Sequence, residues 1–262
     1  MTRVASVQLE VLTDEPKEVR VERVASVVEE ERAADLIVLP EIWNVGYFNF
    51  GSYAEEAEEL EGPTIERMRE AARAADSWLL AGSFVERAGD RLHNTSVLID
   101  RGGELAATYR KVHLFGYGSE ERRLLTRGEA VTVVDTELGR LGLATCYDLR
   151  FPELFRAMVS QDAEAFLITS AWPYPRVEAW TTLNRARAIE NQAWLISANC
   201  AAGTPACCGR NMVVDPWGTV VAAGSDRPGV VTADVDLSAA AKAARDEFPA
   251  LRDRVLETGG FE

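Results

Sequence analysis

A chain of 262 residues is long enough for one large domain or two small ones, and it can bury a sizeable core. Its 47% hydrophobic and 27% charged residues are ordinary for a soluble globular protein. Acidic residues outnumber basic ones, 42 to 28, and the formal net charge of −14 argues against nucleic acid as a partner, because phosphate contacts need clustered Lys and Arg.

The N-terminus, MTRVASVQLEV, has one early Arg and no apolar core, so no signal peptide is expected. No stretch approaches the ~18 uninterrupted apolar residues of a membrane span. The expectation is a cytoplasmic protein with no membrane partner. Val4 to Leu9 reads as a first strand. Pro16 to Ala33 carries Val19, Val24, Val27 and Val28 among charges at amphipathic helical spacing, and Pro16 suits a helix's first turn. The run Leu36-Ile37-Val38-Leu39 is wholly apolar, as in a strand buried on both faces, and it ends abruptly at Pro40-Glu41. A second helix is expected over about Pro63 to Ala75. Trp78 to Val85, Arg91 to Asp100 and Glu104 to Arg110 read as strands separated by Gly-containing turns. A loop follows from Val112 to Gly128. Val131 to Asp135 and Leu141 to Thr145 are strands across a turn at Leu138-Gly139-Arg140, and Cys146 sits at the end of the second. Pro152 to Ser160 reads as a helix, Ala165 to Thr169 as a strand and Val177 to Gln192 as a longer helix. Three or four strands are expected between Ala193 and Val235, and the tail from about Leu237 is expected to be helical. No linker, low-complexity segment or long repeat interrupts the chain, so residues 1–262 read as one layered α/β domain.

Three polar residues close apolar strands. Glu41 ends LIVLPE, Lys111 follows the strand before KVHLF, and Cys146 ends LGLATC. Strand ends are where a rigid scaffold presents side chains to a cleft. The three types also fit one chemistry. A thiolate is a strong nucleophile, but a free thiol is mostly protonated at neutral pH and needs a base and a positive neighbour. With only two histidines, His93 and His113, a glutamate is a plausible base, and a histidine-rich metal site is excluded. A lysine ammonium can stabilise both thiolate and oxyanion. Taken singly, each residue also has an ordinary reading: Cys146 in the core, Glu41 opening a loop, Lys111 on a solvated strand end. The other cysteines, Cys200, Cys207 and Cys208, form no disulfide framework and no paired zinc motif, and they read as non-catalytic thiols of a reducing compartment.

What assembles the three is a resemblance. LIVLPE, YRKVHLF and ATCYDLRFPEL resemble the glutamate, lysine and cysteine segments of the nitrilase superfamily, the carbon–nitrogen hydrolases. SAWPYPRVEAWTTLNRARAIENQAWLISAN resembles the long block after the cysteine, and DPWGTVVA a hairpin near the end of the family's domain. These segments follow the family's order over roughly residues 3 to 236. The resemblance implies a four-layer αββα sandwich, an α/β fold in which two mixed sheets lie face to face with helices outside. It implies a catalytic set of Glu41, Lys111 and Cys146, joined by a second glutamate in GYGSEERRLLTRG. Counting back from Gly128 with Leu125 at the family's leucine favours Glu121 over Glu120.

The same resemblance gives the Tyr147 backbone N–H as an oxyanion donor. Arg150 has two readings, a fork for a substrate carboxylate or an ion pair with Glu153 or another structural carboxylate. Trp172 lines the pocket mouth or only packs. Arg187 and Glu190, three apart on one helix, read as a structural pair. The implied activity is hydrolysis of a small carboxylic amide through a thioester, with no metal and no cofactor. The run after Cys146 is most similar to the omega-amidase and deaminated-glutathione amidase branch. Nitrile or N-carbamoyl hydrolysis is the alternative on the same residues. An ammonia-supplying or non-enzymatic subunit is the alternative of another class. A homodimer or higher homo-oligomer is expected, with Pro152–Ser160 and Val177–Gln192 at its interface.

Overall fold

Leu36, Ile37 and Val38 have no exposed surface, and their burial on both faces organises the molecule. The computed structural model describes residues 1–12, 14–203 and 206–256. Within it β1 (Thr2–Gln8), β2 (Leu36–Val38) and β3 (Trp78–Ala88) run parallel side by side. Side chains alternate along a strand. Leu36 and Val38 accordingly join the core between two sheets, while Ile37 and Leu39 join a second core beneath helices. Those helices are α1 (Lys17–Glu30) and, after the single turn α2 (Tyr53–Glu56), α3 (Pro63–Ala75). Val24, Val28, Met68 and Ala72 pack there against Val7 and Leu79. Each such buried aliphatic side chain contributes ~1.5–3 kcal/mol.

β4 (Arg91–Ile99) and β5 (Leu105–Arg110) extend the first sheet as an antiparallel meander. The second sheet begins with the hairpin of β6 (Val133–Thr136) and β7 (Gly139–Thr145), and continues with β8 (Ala165–Ser170) and β9 (Trp194–Asn199), parallel to β7. A two-stranded ribbon of β10 (Ala201–Ala202) and β11 (Cys207–Cys208) follows, and β12 (Met212–Val214) and β13 (Val220–Ala223) complete the second sheet. β14 (Gly229–Val235) then crosses back to pair with β1. The two six-stranded sheets have the orders β14-β1-β2-β3-β4-β5 and β13-β12-β9-β8-β7-β6. Val4, Leu80 and Leu98 of the first share one core with Leu143, Leu167 and Ile196 of the second.

A short helix, α4 (Glu121–Leu124), lies between the sheets' chain segments. α5 (Pro152–Val159) and α6 (Val177–Asn191) cover the outer face of the second sheet, with Phe155 edge-on to Phe166 at 5.0 Å. α7 (Leu237–Glu247) follows an Asp236 cap whose carboxylate accepts from the Ala239 N–H at 3.0 Å. The result is the expected four-layer αββα sandwich.

Three local differences from the sequence reading stand out. The expected loop from Val112 to Gly128 contains α4. Cys146 does not end β7 but opens a tight 3₁₀ turn over Cys146–Arg150. The helical tail ends at Glu247, and residues 257–262 lie outside the described residues. Among the described residues no helix is long and apolar enough to cross a membrane.

Candidate active site

The C-terminal ends of β2, β5, β7 and β8 converge, as strand ends do around ligand sites in α/β sheets. Glu41 is carried there by a constrained turn after β2. Its N–H donates to the Ser170 carbonyl at 3.2 Å, and the next residue, Ile42, has φ +40° with its N–H on Ser83 Oγ at 3.1 Å. β3 bulges at Gly82, φ +72°, to let the turn approach: a Cβ there would lie 2.0 Å from the Pro40 carbonyl oxygen. Glycine is the residue that tolerates both the dihedral and the contact.

Glu41, Lys111 and Glu121 are buried together, with no side-chain exposure in any of them. Lys111 Nζ donates to Glu41 Oε1 at 2.7 Å and to Glu121 Oε1 at 2.9 Å and Oε2 at 3.0 Å. Asn94 Nδ2 bridges the two carboxylates, at 2.8 Å to Glu41 Oε1 and 2.9 Å to Glu121 Oε1. Glu41 Oε2 accepts from the Ala171 N–H at 3.0 Å. Glu121 Oε2 accepts from the Phe115 N–H at 2.8 Å and the Tyr47 hydroxyl at 3.0 Å. Glu120 is exposed and paired with Arg123, so Glu121 is the glutamate that enters the cluster.

Cys146 takes φ +49°, a left-handed conformation that costs a non-glycine residue about 1–3 kcal/mol and persists only where its surroundings enforce it. Asp148 supplies that enforcement. Its Oδ2 accepts from the Thr145 N–H at 2.9 Å and the Tyr109 hydroxyl at 2.7 Å, and its Oδ1 accepts from the His113 N–H at 3.1 Å and faces His113 Nδ1 at 2.8 Å. The turn so held sets the buried Cys146 thiol where Glu41 and Lys111 are the charges that act on it most.

Charge sets the proton positions. Two carboxylates and one ammonium leave the cluster with a net negative charge in a dry interior, an arrangement that is costly to bury and typical of functional sites. Burial, above all, pushes the Glu41 carboxyl above the usual glutamate range; Lys111 pulls it down and Glu121 adds to the rise. Burial works to lower the Lys111 value, but Glu121 and Glu41 outweigh it, so the ammonium stays charged. Burial, then Glu41, pushes the Cys146 thiol well up, so the resting residue is the thiol and Glu41 is placed to take its proton.

Beside Cys146 lies a small cleft walled by Tyr47, Phe115, Tyr147, Trp172, Arg150 and Arg176. Tyr147 is half-buried, its ring edge-on to Phe115 at 5.0 Å and to Phe151 at 5.1 Å. Trp172 is held by its N–H on Asn199 Oδ1 at 2.6 Å and its indole on the Arg176 carbonyl at 2.9 Å. The ion pair of Arg150 with Glu153 does not form. The Arg150 guanidinium lies 5.0 Å over the Trp172 ring instead, and that of Arg176 lies 5.3 Å over Phe115. Among the described residues no group of three or more His, Cys, Asp or Glu is arranged to hold a metal ion.

The carbon-nitrogen hydrolase family profile matches residues 3–245. The chain belongs to the carbon–nitrogen hydrolase family. It is 37% identical over 261 residues to a 2-oxoglutaramate amidase of Paenarthrobacter nicotinovorans, covering 96% of this chain and 88% of that protein. Among solved structures it matches XC1258 of Xanthomonas campestris, a CN-hydrolase superfamily protein with an arsenic adduct in its active site, with TM-score 0.90, 29% identity and 99% of each chain covered. It also matches a mutant amidase of Nesterenkonia sp. AN1 in which the acetamide moiety of fluoroacetamide is bound covalently to the active-site cysteine. That match has TM-score 0.83, 26% identity and 97% of each chain covered.

The site of this carbon–nitrogen hydrolase contains residues that the sequence reading missed. Asn94 lies in His93-Asn94-Thr95-Ser96, a polar run inside a fully buried stretch of β4, and that conflict between polarity and burial was the available signal. Tyr47 and Arg176 had no comparable signal, because their partners are distant in the chain, and Asp148 reaches distant Tyr109 and His113 as well as the nearby Thr145 N–H. Cys200, Cys207 and Cys208 are buried free thiols, and burial, above all, raises Cys208 to about 12. Arg187 pairs with Glu190 at 2.7 Å as expected.

Proposed function

We propose that this hydrolase cleaves a small carboxylic amide to acid and ammonia through a thioester on Cys146. The observation that carries the reading is a buried glutamate of raised proton affinity, bonded to the Lys111 ammonium and acting on the buried Cys146 thiol. Glu41 takes the thiol proton and the sulfur attacks the amide carbon. Lys111 and the Tyr147 N–H hold the oxyanion, an interaction whose removal typically costs ~10²–10³ in rate. Glu41 returns the proton to the departing nitrogen as the tetrahedral intermediate collapses, and ammonia leaves. Water then enters, gives its proton to Glu41 and attacks the thioester; collapse releases the acid, and the proton returns to sulfur. Glu121 holds Lys111 in place throughout.

The preferred amide bears a carboxylate at its far end. Arg150 and Arg176 flank the cleft with their guanidinium groups on aromatic rings, and among the described residues neither is ion-paired, so both can receive an anion. The relative's substrate, 2-oxoglutaramate, has such a carboxylate, and this supports the reading. The net charge of −14 repels anions at long range, but screening limits that field to ~8 Å at physiological salt, so local arginines dominate. Comparing succinamate with butyramide tests it. Succinamate should have the higher kcat/KM by about tenfold or more, an advantage that Arg176→Ala erases, consistent with ~1.5–3 kcal/mol for a charged hydrogen bond. Equal or faster butyramide turnover contradicts carboxylate recognition and leaves amide hydrolysis standing. A reducing, cytoplasmic location suits the four free thiols.

A further inference from the structure

Strand register fixes the neighbour of Cys146. β7 and β8 run parallel with Thr145 opposite Thr169, so Ser170 is the next residue on the adjoining strand. Ser170 has no exposed surface. Its carbonyl is engaged twice, by the Glu41 N–H at 3.2 Å and the Cys200 N–H at 3.1 Å. Among the described residues its hydroxyl has no hydrogen-bond partner. The flanking hydroxyls do not share this condition: Thr145 and Thr169 bond each other at 3.3 Å and Ser96 at 3.0 and 3.4 Å. Native interiors leave very few polar groups without partners, and each one costs about 1–3 kcal/mol. A charge that exists only during the reaction would give this hydroxyl its acceptor.

We propose that Ser170 is a further catalytic residue, whose hydroxyl donates to the Cys146 sulfur when that sulfur becomes a thiolate. The inference rests on Cys146 as the nucleophile. No bond is made or broken at Ser170. Its hydrogen stays on oxygen, points to the anionic sulfur after Glu41 has taken the thiol proton, and loses its strong acceptor once the thioester forms. When the second tetrahedral intermediate collapses, the same donor receives the departing thiolate. Hydrogen bonds to charged groups are the strong ones, so the donor gains most in the ionised state.

The full chain carrying Ser170→Ala tests this beside wild type and Cys146→Ala. Iodoacetamide alkylation of the Cys146 peptide is followed by mass spectrometry across pH, with amide turnover and thermal unfolding measured on the same samples. In Ser170→Ala the alkylation midpoint should rise by about one pH unit. kcat/KM should fall about 10- to 100-fold. The unfolding temperature should stay equal or rise, because an unpaired buried hydroxyl has been removed. An unchanged alkylation profile in the folded variant overturns the inference, whatever the turnover. So does a lost or destabilised fold, which would make the hydroxyl structural. Turnover persisting in Cys146→Ala strikes the nucleophile assignment instead; wild-type behaviour of Ser170→Ala beside an inert Cys146→Ala strikes this inference alone.

Discussion

Glu41 stores the site's electrostatic cost. Its carboxyl binds a proton more tightly in the folded chain than in the unfolded one, because of burial first and Glu121 second. The sign follows from linkage. Where the native state holds the extra proton, stability falls as pH rises, from the ordinary glutamate value near ~4.3 up to the raised native value. Glu41→Gln removes that falling limb. Its amide oxygen still accepts from Lys111, which keeps Glu121 as its charged partner. Denaturant unfolding at stepped pH should therefore show the variant gaining on wild type through that window, by at most ~1.4 kcal/mol per pH unit, while turnover is lost. A stability difference that stays constant with pH would mean the carboxyl is not strained by its surroundings. This is the usual conflict at a working site, where the group that does the chemistry is not the one that best stabilises the fold.

At the scale of elements, the site depends on a few backbone devices that place strand ends. Gly82 is the most exposed to test. A methyl group there meets the Pro40 carbonyl at 2.0 Å and the Trp43 indole at 2.7 Å, on a backbone at φ +72°. Gly82→Ala should cost about 1–3 kcal/mol from the dihedral alone and displace the turn that carries Glu41. Thermal unfolding should show a clear drop, and kcat/KM should fall further than the loss of folded protein explains. Wild-type kcat/KM per folded molecule would mean the turn tolerates the shift. Much of this architecture was legible. The apolar run of Leu36 to Leu39 announced β2, and the Gly-containing turns at Gly89 and Gly102 announced the meander of β3, β4 and β5. The glutamate, lysine and cysteine segments were legible as motifs, and the count from Gly128 selected Glu121. α4 was not, because its four residues are too few for a helical period and its burial comes from Lys111 and Tyr47 rather than from an apolar face. The turn at Cys146 was not legible either, since it is enforced by Asp148 reaching Tyr109 and His113, contacts no local pattern encodes.

For the molecule as a whole, the expected homodimer has to be built from what the fold leaves outside. Leu154, Phe155, Met158 and Trp180 are fully buried in the chain's own core, so α5 and α6 do not offer them to a partner. Ile189 of α6 is 48% exposed, and Trp217, 50% exposed, precedes Gly218, whose Cβ position lies 2.2 Å from Ile189 Cγ1. Such grouped apolar surface marks interaction faces. Sedimentation at micromolar concentration should give at least twice the 28.8 kDa chain mass, and Trp217→Asp should shift it toward monomer. A monomer at every concentration contradicts the dimer without touching the chemistry. That chemistry has a sharper test in acid-quenched mass spectrometry of enzyme mixed with succinamate. The Cys146 peptide should carry the acyl group, equal to substrate less ammonia, and Cys146→Ala should show neither the adduct nor turnover above about a thousandth of wild type. An acyl group on any other residue, or turnover surviving without the thiol, would contradict the thioester mechanism.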